Sequence, residues 1–272
     1  MTVSIAEVGS AVEALWPLSG ASVWDAPGLV TGDPAAPVAR IHLAVDAVAE
    51  SVDEAIALGA GLMLVHHPLL LRGVTSVAED RYKGALIARL IRAGCGLLSA
   101  HTNADVVETG TSAVFAERLG LASIRPIVAA TDGDRGIGRV GELPQPTTLG
   151  RLARMLGEIL PATASGIRVA GDYDAEVRTV ALCGGAGDSL LSEPAVLGAD
   201  VYITSDLRHH PASESRESAR HIGGPALIDV AHWASEWLWL DVAASELRAA
   251  LPGVTVTVSE LRTDPWDFVV VQ

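Results

Sequence analysis

The sequence predicts an α/β fold built as two similar lobes with mainly parallel strands. Short aliphatic runs alternate with amphipathic stretches that carry helix caps and glycine stops, the alternation expected of β-α-β units. The plan of the first half recurs in the second. The apolar share is aliphatic, with 49% hydrophobic residues but only 4% aromatic ones, which suits strands covered by helices on both faces. A chain of 272 residues is long enough to form two separate cores.

Taken in order, Ile5 to Trp16 has helical spacing, with Ser4 as its cap and Pro17 as its stop. A loop rich in Gly, Pro and Asp follows, "SGASVWDAPGLVTGDP". "VARIHLAVDA" from Val38 is β-branched and aliphatic and reads as a strand. "SVDEAIALGA" opens with Ser51 as a cap and early acidic residues, and closes on Gly59 and Gly61, which predicts a helix. "LMLV" is the next strand and ends on His66-His67-Pro68. The connection is long enough for a helical crossover, so the two strands should be parallel. "RYKGALIARLIRAG" from Arg81 is a further helix with a glycine stop. "CGLLSAHTNAD" is a strand running into a polar turn with His101, Thr102, Asn103 and Asp105.

In the second half "VRTVALCGGAGD" reads as a strand and a tight glycine turn. It lacks the third glycine of a dinucleotide fingerprint and the Lys-Ser/Thr of a phosphate-binding loop. "SLLSEPAVLGAD" reads as a helix containing a proline, and "VYITSDLRHHPA" as a strand ending on a second His-His-Pro. "HIGGPALIDVAHWASEW" gives another strand, ending near Asp229. "LGAG" at Leu58 and "LGAD" at Leu197 recur at nearly the same offset as the two His-His-Pro triplets. The expected division is residues 1–127 for the first lobe and 128–272 for the second. Its seam lies in Val128 to Leu143, and the C-terminal segment can pack back on the first lobe.

Composition narrows the function. The formal charge is −14 and Lys83 is the only lysine, so binding to a nucleic-acid phosphate backbone is not expected. Cys95 and Cys183 stand far apart in apolar contexts and read as small buried hydrophobes rather than a disulfide or a zinc ribbon. The opening segment has no basic stretch of the signal-peptide kind, and no apolar run approaches the ~20 residues of a membrane span. A cytoplasmic protein without membrane association is the expectation.

His66 and His67 pose the sharpest question. A strand points successive side chains to opposite faces, so two neighbours share a destination only where the strand has ended. His101 and Asp105 follow another strand end, and in open α/β sheets that edge is where ligands bind. "DVAHWASEW" places His232 and Glu236 four apart at the start of a helix, on one face and within reach of one ion. His66, His67, Asp105, His232 and Glu236 together offer three imidazoles and two carboxylates. That set suits zinc, iron, manganese or cobalt. It is more than one tetrahedral zinc with an open position needs, and suits two metals sharing a bridging carboxylate. The alternative is a histidine-rich polar pocket without metal.

The ordered set "VHHPLL", "SAHTNAD", "TSDLRHHPA" and "DVAHWASEW", preceded by "VWDAPGL", resembles the Nif-three-like family of type 2 GTP cyclohydrolase I homologues. The resemblance covers nearly the whole chain. It implies two α/β lobes, a toroidal homohexamer and a dinuclear metal centre between the lobes. It also implies metal ligands at His66, His67, Asp105, His232 and Glu236, the residues reached from strand ends and spacing. The family pattern has an asparagine where Ala26 stands, a leucine at Ala104 and a glycine at Ser205; none of these removes a ligand.

Two readings of function follow. In the first the protein is a hydrolase: two divalent ions (Zn, Fe or Mn) hold a hydroxide that attacks a small-molecule substrate, with a nucleotide, a phosphate ester or a strained ring amide as candidates. His101, Asp206 and His210 are then the candidate proton carriers. Arg72 and Arg208, beside the His-His motifs, would favour an anionic substrate. In the second reading the protein is a non-catalytic metal-binding adaptor or regulator.

Overall fold

The computed structural model describes residues 2–130 and 135–271. The chain divides into two compact units, one made of residues 1–104 and 240–263, the other of 105–239 and 264–272. Among the described residues, the first holds a five-stranded sheet and the second a six-stranded one.

In the first unit the strand order is Thr255–Val258, Arg40–Ala44, Leu62–Val65, Gly96–Ser99, Gly28–Thr31. The first three pairings are parallel and the last is antiparallel. Every side chain of Leu62–Val65 is fully buried, which explains its unbroken apolar run: a central parallel strand has helices on both faces. Met63, Val65 and Leu97 pack with Val52, Ala55, Leu86 and Leu90 from the covering helices Ala49–Ala57 and Tyr82–Ala93. The register sets Ala44 beside Val65 and Val65 beside Ser99, so three strands end level.

The second unit has the order Arg168–Ala170, Ala226–Val230, Val201–Ser205, Glu176–Ala186, Arg139–Thr148, Ala122–Arg125. Only its central pairings are parallel, and they again end level, with Ala186 beside Ser205 and Ser205 beside Val230. The flanking strands are antiparallel. Arg139–Thr148 contains Pro144 and Pro146, which a strand interior normally excludes because proline cannot donate to the ladder. Both fall in the register shift between Glu142 and Thr147, where pairing with Glu176–Ala186 is interrupted. Residues 131–134 of the expected seam lie outside the described residues; on either side, Val128–Ala129 pairs with Gly136–Ile137.

Local readings hold where capping chemistry is explicit. Ser4 caps Ile5–Leu15 in a reciprocal box with Glu7, and Gly94 ends Tyr82–Ala93 in the left-handed conformation that lacks a steric penalty only for glycine. Three details differ. Ser51 is not the cap of its helix: the helix starts at Ala49, and the Ser51 hydroxyl reaches back to the Val48 N–H. Pro194 does not interrupt a helix but opens the short turn Pro194–Leu197, the position where its missing N–H costs nothing. The second His-His-Pro does not terminate a strand; His209 begins the helix His209–Ile222. Cys95 and Cys183 are buried and unbridged, and burial pushes their thiols up to about 11 and about 12. They are inert fillers, as their contexts suggested. No described helix is long and apolar enough to cross a membrane.

Gly84 tests the packing. Helix propensity alone favours alanine over glycine by about 1 kcal/mol. A Cβ at Gly84, however, would fall on the carbonyl oxygens of Val77 and Ala78, backbone atoms that cannot rotate aside. Gly84→Ala is expected to lower stability, by about 1–3 kcal/mol for an overpacked site, seen as an earlier urea midpoint with an unchanged slope.

Candidate metal centre

The first unit delivers three histidines to one place. Backbone ladders continue past the strand ends: His66 N–H donates to Ala44 O, His67 N–H to Val45 O and Ala100 N–H to Val65 O. Successive residues thus emerge from the level edge, and the rings of His66, His67 and His101 lie 5.1–5.5 Å apart, centroid to centroid. One ring nitrogen from each lies within 4.8 Å of the others, the spacing of a set that could hold a metal ion. His66 is fully buried.

Each imidazole is oriented through Nδ1. His66 Nδ1 is 2.9 Å from Ala100 O, His67 Nδ1 is 2.7 Å from Asp46 Oδ1, and His101 Nδ1 is 2.7 Å from Asp25 Oδ1. These oxygens only accept, so Nδ1 carries the proton and Nε2 is the lone-pair nitrogen of the neutral ring. Pinning the far nitrogen with a carboxylate or carbonyl is how metal-binding histidines are fixed in tautomer and direction. The carboxylates are themselves held: Thr263 Oγ1 donates to Asp46 Oδ2 at 2.5 Å. Asp25 accepts from the Thr102 N–H at 3.0 Å, and from the Thr102 hydroxyl. Burial alone would raise the Asp25 carboxyl, but the bonds from Thr102 and His101 outweigh it and hold it below the ordinary aspartate range.

The second unit repeats the device. His232, first residue of the helix His232–Trp237, has Nδ1 2.7 Å from Asp206 Oδ2 and Nε2 3.0 Å from Glu236 Oε1. The i,i+4 spacing therefore places both groups as the sequence indicated. Asp206 adopts a left-handed backbone, φ 58°, a conformation Asp tolerates better than most residues. Burial would lower the His232 imidazole; the carboxylates of Glu236 and Asp206 overcome that and push it up to about 11. Glu236 is buried. Asp105 accepts from Thr111 Oγ1 at 2.5 Å.

Gly185 forms the floor beneath the His232–Glu236 pair. Its N–H donates to Ser235 Oγ at 2.9 Å, and its carbonyl accepts from Thr204 Oγ1 at 3.0 Å. With φ at +72°, a Cβ there would fall on Glu236 Oε1 and come within 3.2 Å of His232 Nε2. Gly184 and Gly185, expected to form a tight turn, lie instead in the strand Glu176–Ala186, at a register shift between Leu182 and Ala186, and Gly185 seats a carboxylate-imidazole pair.

The structure gathers His66, His67 and His101 in the first unit, and Asp206, His232 and Glu236 in the second. His210 lies on the exposed first turn of its helix, its ring 5.2 Å from that of His209. Arg208 is engaged with Asp188 at 2.6 Å. Asp25, Asp46 and Gly185 were not singled out from sequence. Asp46 had the same signal as the histidines, a polar residue just past an apolar strand. Asp25 sits in an irregular loop with no local periodicity, and its one signal was its place in the "VWDAPGL" segment of the resemblance.

Comparison with known proteins agrees with this architecture. The family model described as Duf34/NIF3 (NGG1p interacting factor 3) matches residues 3–265. A Streptomyces coelicolor protein named GTP cyclohydrolase 1 type 2 homolog is 47% identical over 269 residues, covering 96% of this chain and 93% of that protein. A Staphylococcus aureus hypothetical protein superposes with a TM-score of 0.86 at 26% identity, over 98% of this chain and 99% of its own. A Bacillus cereus protein related to NIF3 shares the fold, with a TM-score of 0.89 at 23% identity over 98% and 99% of the two chains.

Gly185→Ala is expected to separate Glu236 from His232. In metal-free protein the His232 titration, followed by NMR, should fall from its raised position toward the ordinary range near 6.5. Gly184→Ala is the control: its Cβ would meet only ordinary contacts at 3.5 Å and beyond, and the titration should not move.

Proposed function

This chain belongs to the Duf34/NIF3 family, and from that premise and its clustered histidines we propose that it is a dinuclear metal-dependent hydrolase. The metal ligands in this reading are His66, His67, Asp105, His232 and Glu236. The substrate is a small molecule, a nucleotide first among candidates because relatives carry the name GTP cyclohydrolase 1 type 2 homolog. The observation that carries the reading is the donor chemistry: four imidazoles whose Nδ1 atoms each face an oxygen acceptor, the arrangement that readies Nε2 for a metal. The seat at Gly185, which a Cβ would fill, supports the same fit.

Divalent ions of the zinc, iron or manganese type, when bound, supply Lewis acidity and bring the pKa of a water toward neutrality. The chain's own residues do the rest. Asp46 holds the tautomer of His67, and Asp25 that of His101. Asp206 steadies the His232 ring and can take up its Nδ1 proton. His101 is the histidine of the first-unit cluster outside the proposed ligand set, and its Asp25 partner equips it to shuttle protons. His210 is the more exposed candidate for proton transfer. The functional assembly is a homohexamer located in the cytoplasm.

Elemental analysis of protein purified without chelator is expected to find about two metals per chain, the number such sites hold. His67→Ala and Glu236→Ala should each lose metal. Absence of metal after reconstitution with zinc, manganese and iron would overturn the proposal. Metal retained without turnover of GTP or of simple phosphate esters would make the protein a binding module. His101→Ala and His210→Ala, assayed on metal-loaded protein, separate the two proton carriers: loss of about 100-fold or more in kcat marks the one that acts.

Loading should also release protons. The raised His232 is protonated at neutral pH and must lose that proton to become a ligand. Metal affinity is therefore expected to rise with pH between 6 and 9, with acid released into a weakly buffered solution. In the metal-free protein the same ion pair stabilises the fold at and below the ordinary histidine pKa, and that contribution fades as pH climbs toward about 11.

A further inference from the structure

Trp24 is 59% exposed, although a buried indole is among the larger apolar contributions to a core. Its loop is nonetheless firmly held. Asp25, the next residue, has a fully buried side chain and bonds to His101 and to both the N–H and the hydroxyl of Thr102. The Ser22 N–H donates to Thr102 Oγ1 at 2.9 Å, Asp25 N–H closes a turn onto Ser22 O at 3.0 Å, and Ala26 N–H returns to Asp25 Oδ1 at 2.7 Å. An exposed aromatic side chain therefore stands on an immobilised backbone. Its ring meets His101 edge-to-face, centroids 5.9 Å apart at 78°, and His101 in turn contacts both His66 and His67. Trp24 is thus one ring beyond the donor cluster.

We propose that Trp24 is the substrate-binding platform of this site, stacking the flat heteroaromatic ring of a nucleotide beside the histidine cluster. The proposal rests on the hydrolase reading for the placement of chemistry at that cluster. An exposed indole fixed at its base loses little conformational freedom when a ring settles on it, which is what makes such platforms effective. Ala26 offers no side-chain hydrogen bond to a base edge, so this loop contributes ring area rather than edge recognition. The neighbouring Val23 is fully exposed, and an apolar pair of this kind could instead be covered by a second copy of the chain. The edge contact of Trp24 with His101 favours the platform.

The test uses metal-loaded full-length protein with GTP and inorganic triphosphate as probes, binding being measured by calorimetry and metal content and molecular mass on the same samples. The parent should bind GTP more tightly than triphosphate. Trp24→Ala should weaken GTP binding roughly 5- to 150-fold, the range for loss of one stacked base, with triphosphate binding and metal content unchanged. Trp24→Phe should retain part of the difference, since it keeps a smaller ring. Equal GTP affinity in parent and Trp24→Ala would overturn the platform, as would a parent that does not distinguish GTP from triphosphate. A fall in molecular mass on Trp24→Ala without a change in GTP affinity would overturn it in favour of a contact between copies. Failure of the hydrolase reading shows separately, as a parent that holds no metal or turns over neither GTP nor a ring-free phosphate ester.

Discussion

The level ending of the central strands in the first sheet is the constraint on which its histidine cluster depends. Ala44, Val65 and Ser99 lie side by side because parallel pairing holds one register across three strands. A shift of one residue would exchange the faces of every side chain. A few ladder bonds carry on past that edge and bring the rings of His66, His67 and His101 to one place. A core of Met63, Leu90, Leu97 and their neighbours therefore sets the aim of groups that take no part in it.

Carboxylates then decide what those imidazoles can do. A histidine without a fixed partner can rotate and exchange tautomers; one whose Nδ1 faces Asp25, Asp46 or Asp206 is held in one. The same logic reaches one layer further out, where Thr102 and Thr263 hold the aspartates. Hydrogen bonds to a carboxylate keep it ionised, and an ionised carboxylate keeps the imidazole proton on the side away from the cluster. An acidic chain thus carries concentrated pockets of basic nitrogen, oriented through Nδ1 in the first unit and charged at His232 by its two carboxylate neighbours.

Glycine has a related part in the second unit. At Gly185 the absence of a side chain makes the room that Glu236 and His232 occupy, and the left-handed backbone there excludes most other residues. At Gly84 it permits a helix to rest on the backbone of Val77 and Ala78. The requirement at Gly84 comes from the stretch just before its helix, whereas that at Gly185 depends on the remote segment carrying His232 and Glu236, which is why "CGGAGD" read only as a turn.

The sequence by itself determined the elements whose causes lie within a few residues. The strand Leu62–Val65, the Ser4 cap, the Gly94 stop and the His232–Glu236 pair were legible because apolar runs, capping boxes and i,i+4 spacing are short-range effects. The paired histidines past a strand end were legible for the same reason, and the resemblance they carry named the family. Only the tertiary structure decided the rest. The antiparallel strands, among them Arg139–Thr148 with its two prolines, are defined by partners rather than by pattern. Asp25 finds His101 76 positions away, and Thr263 finds Asp46 217 away. Such pairings depend on which chain segments the packed sheet brings together, and no local periodicity encodes that proximity.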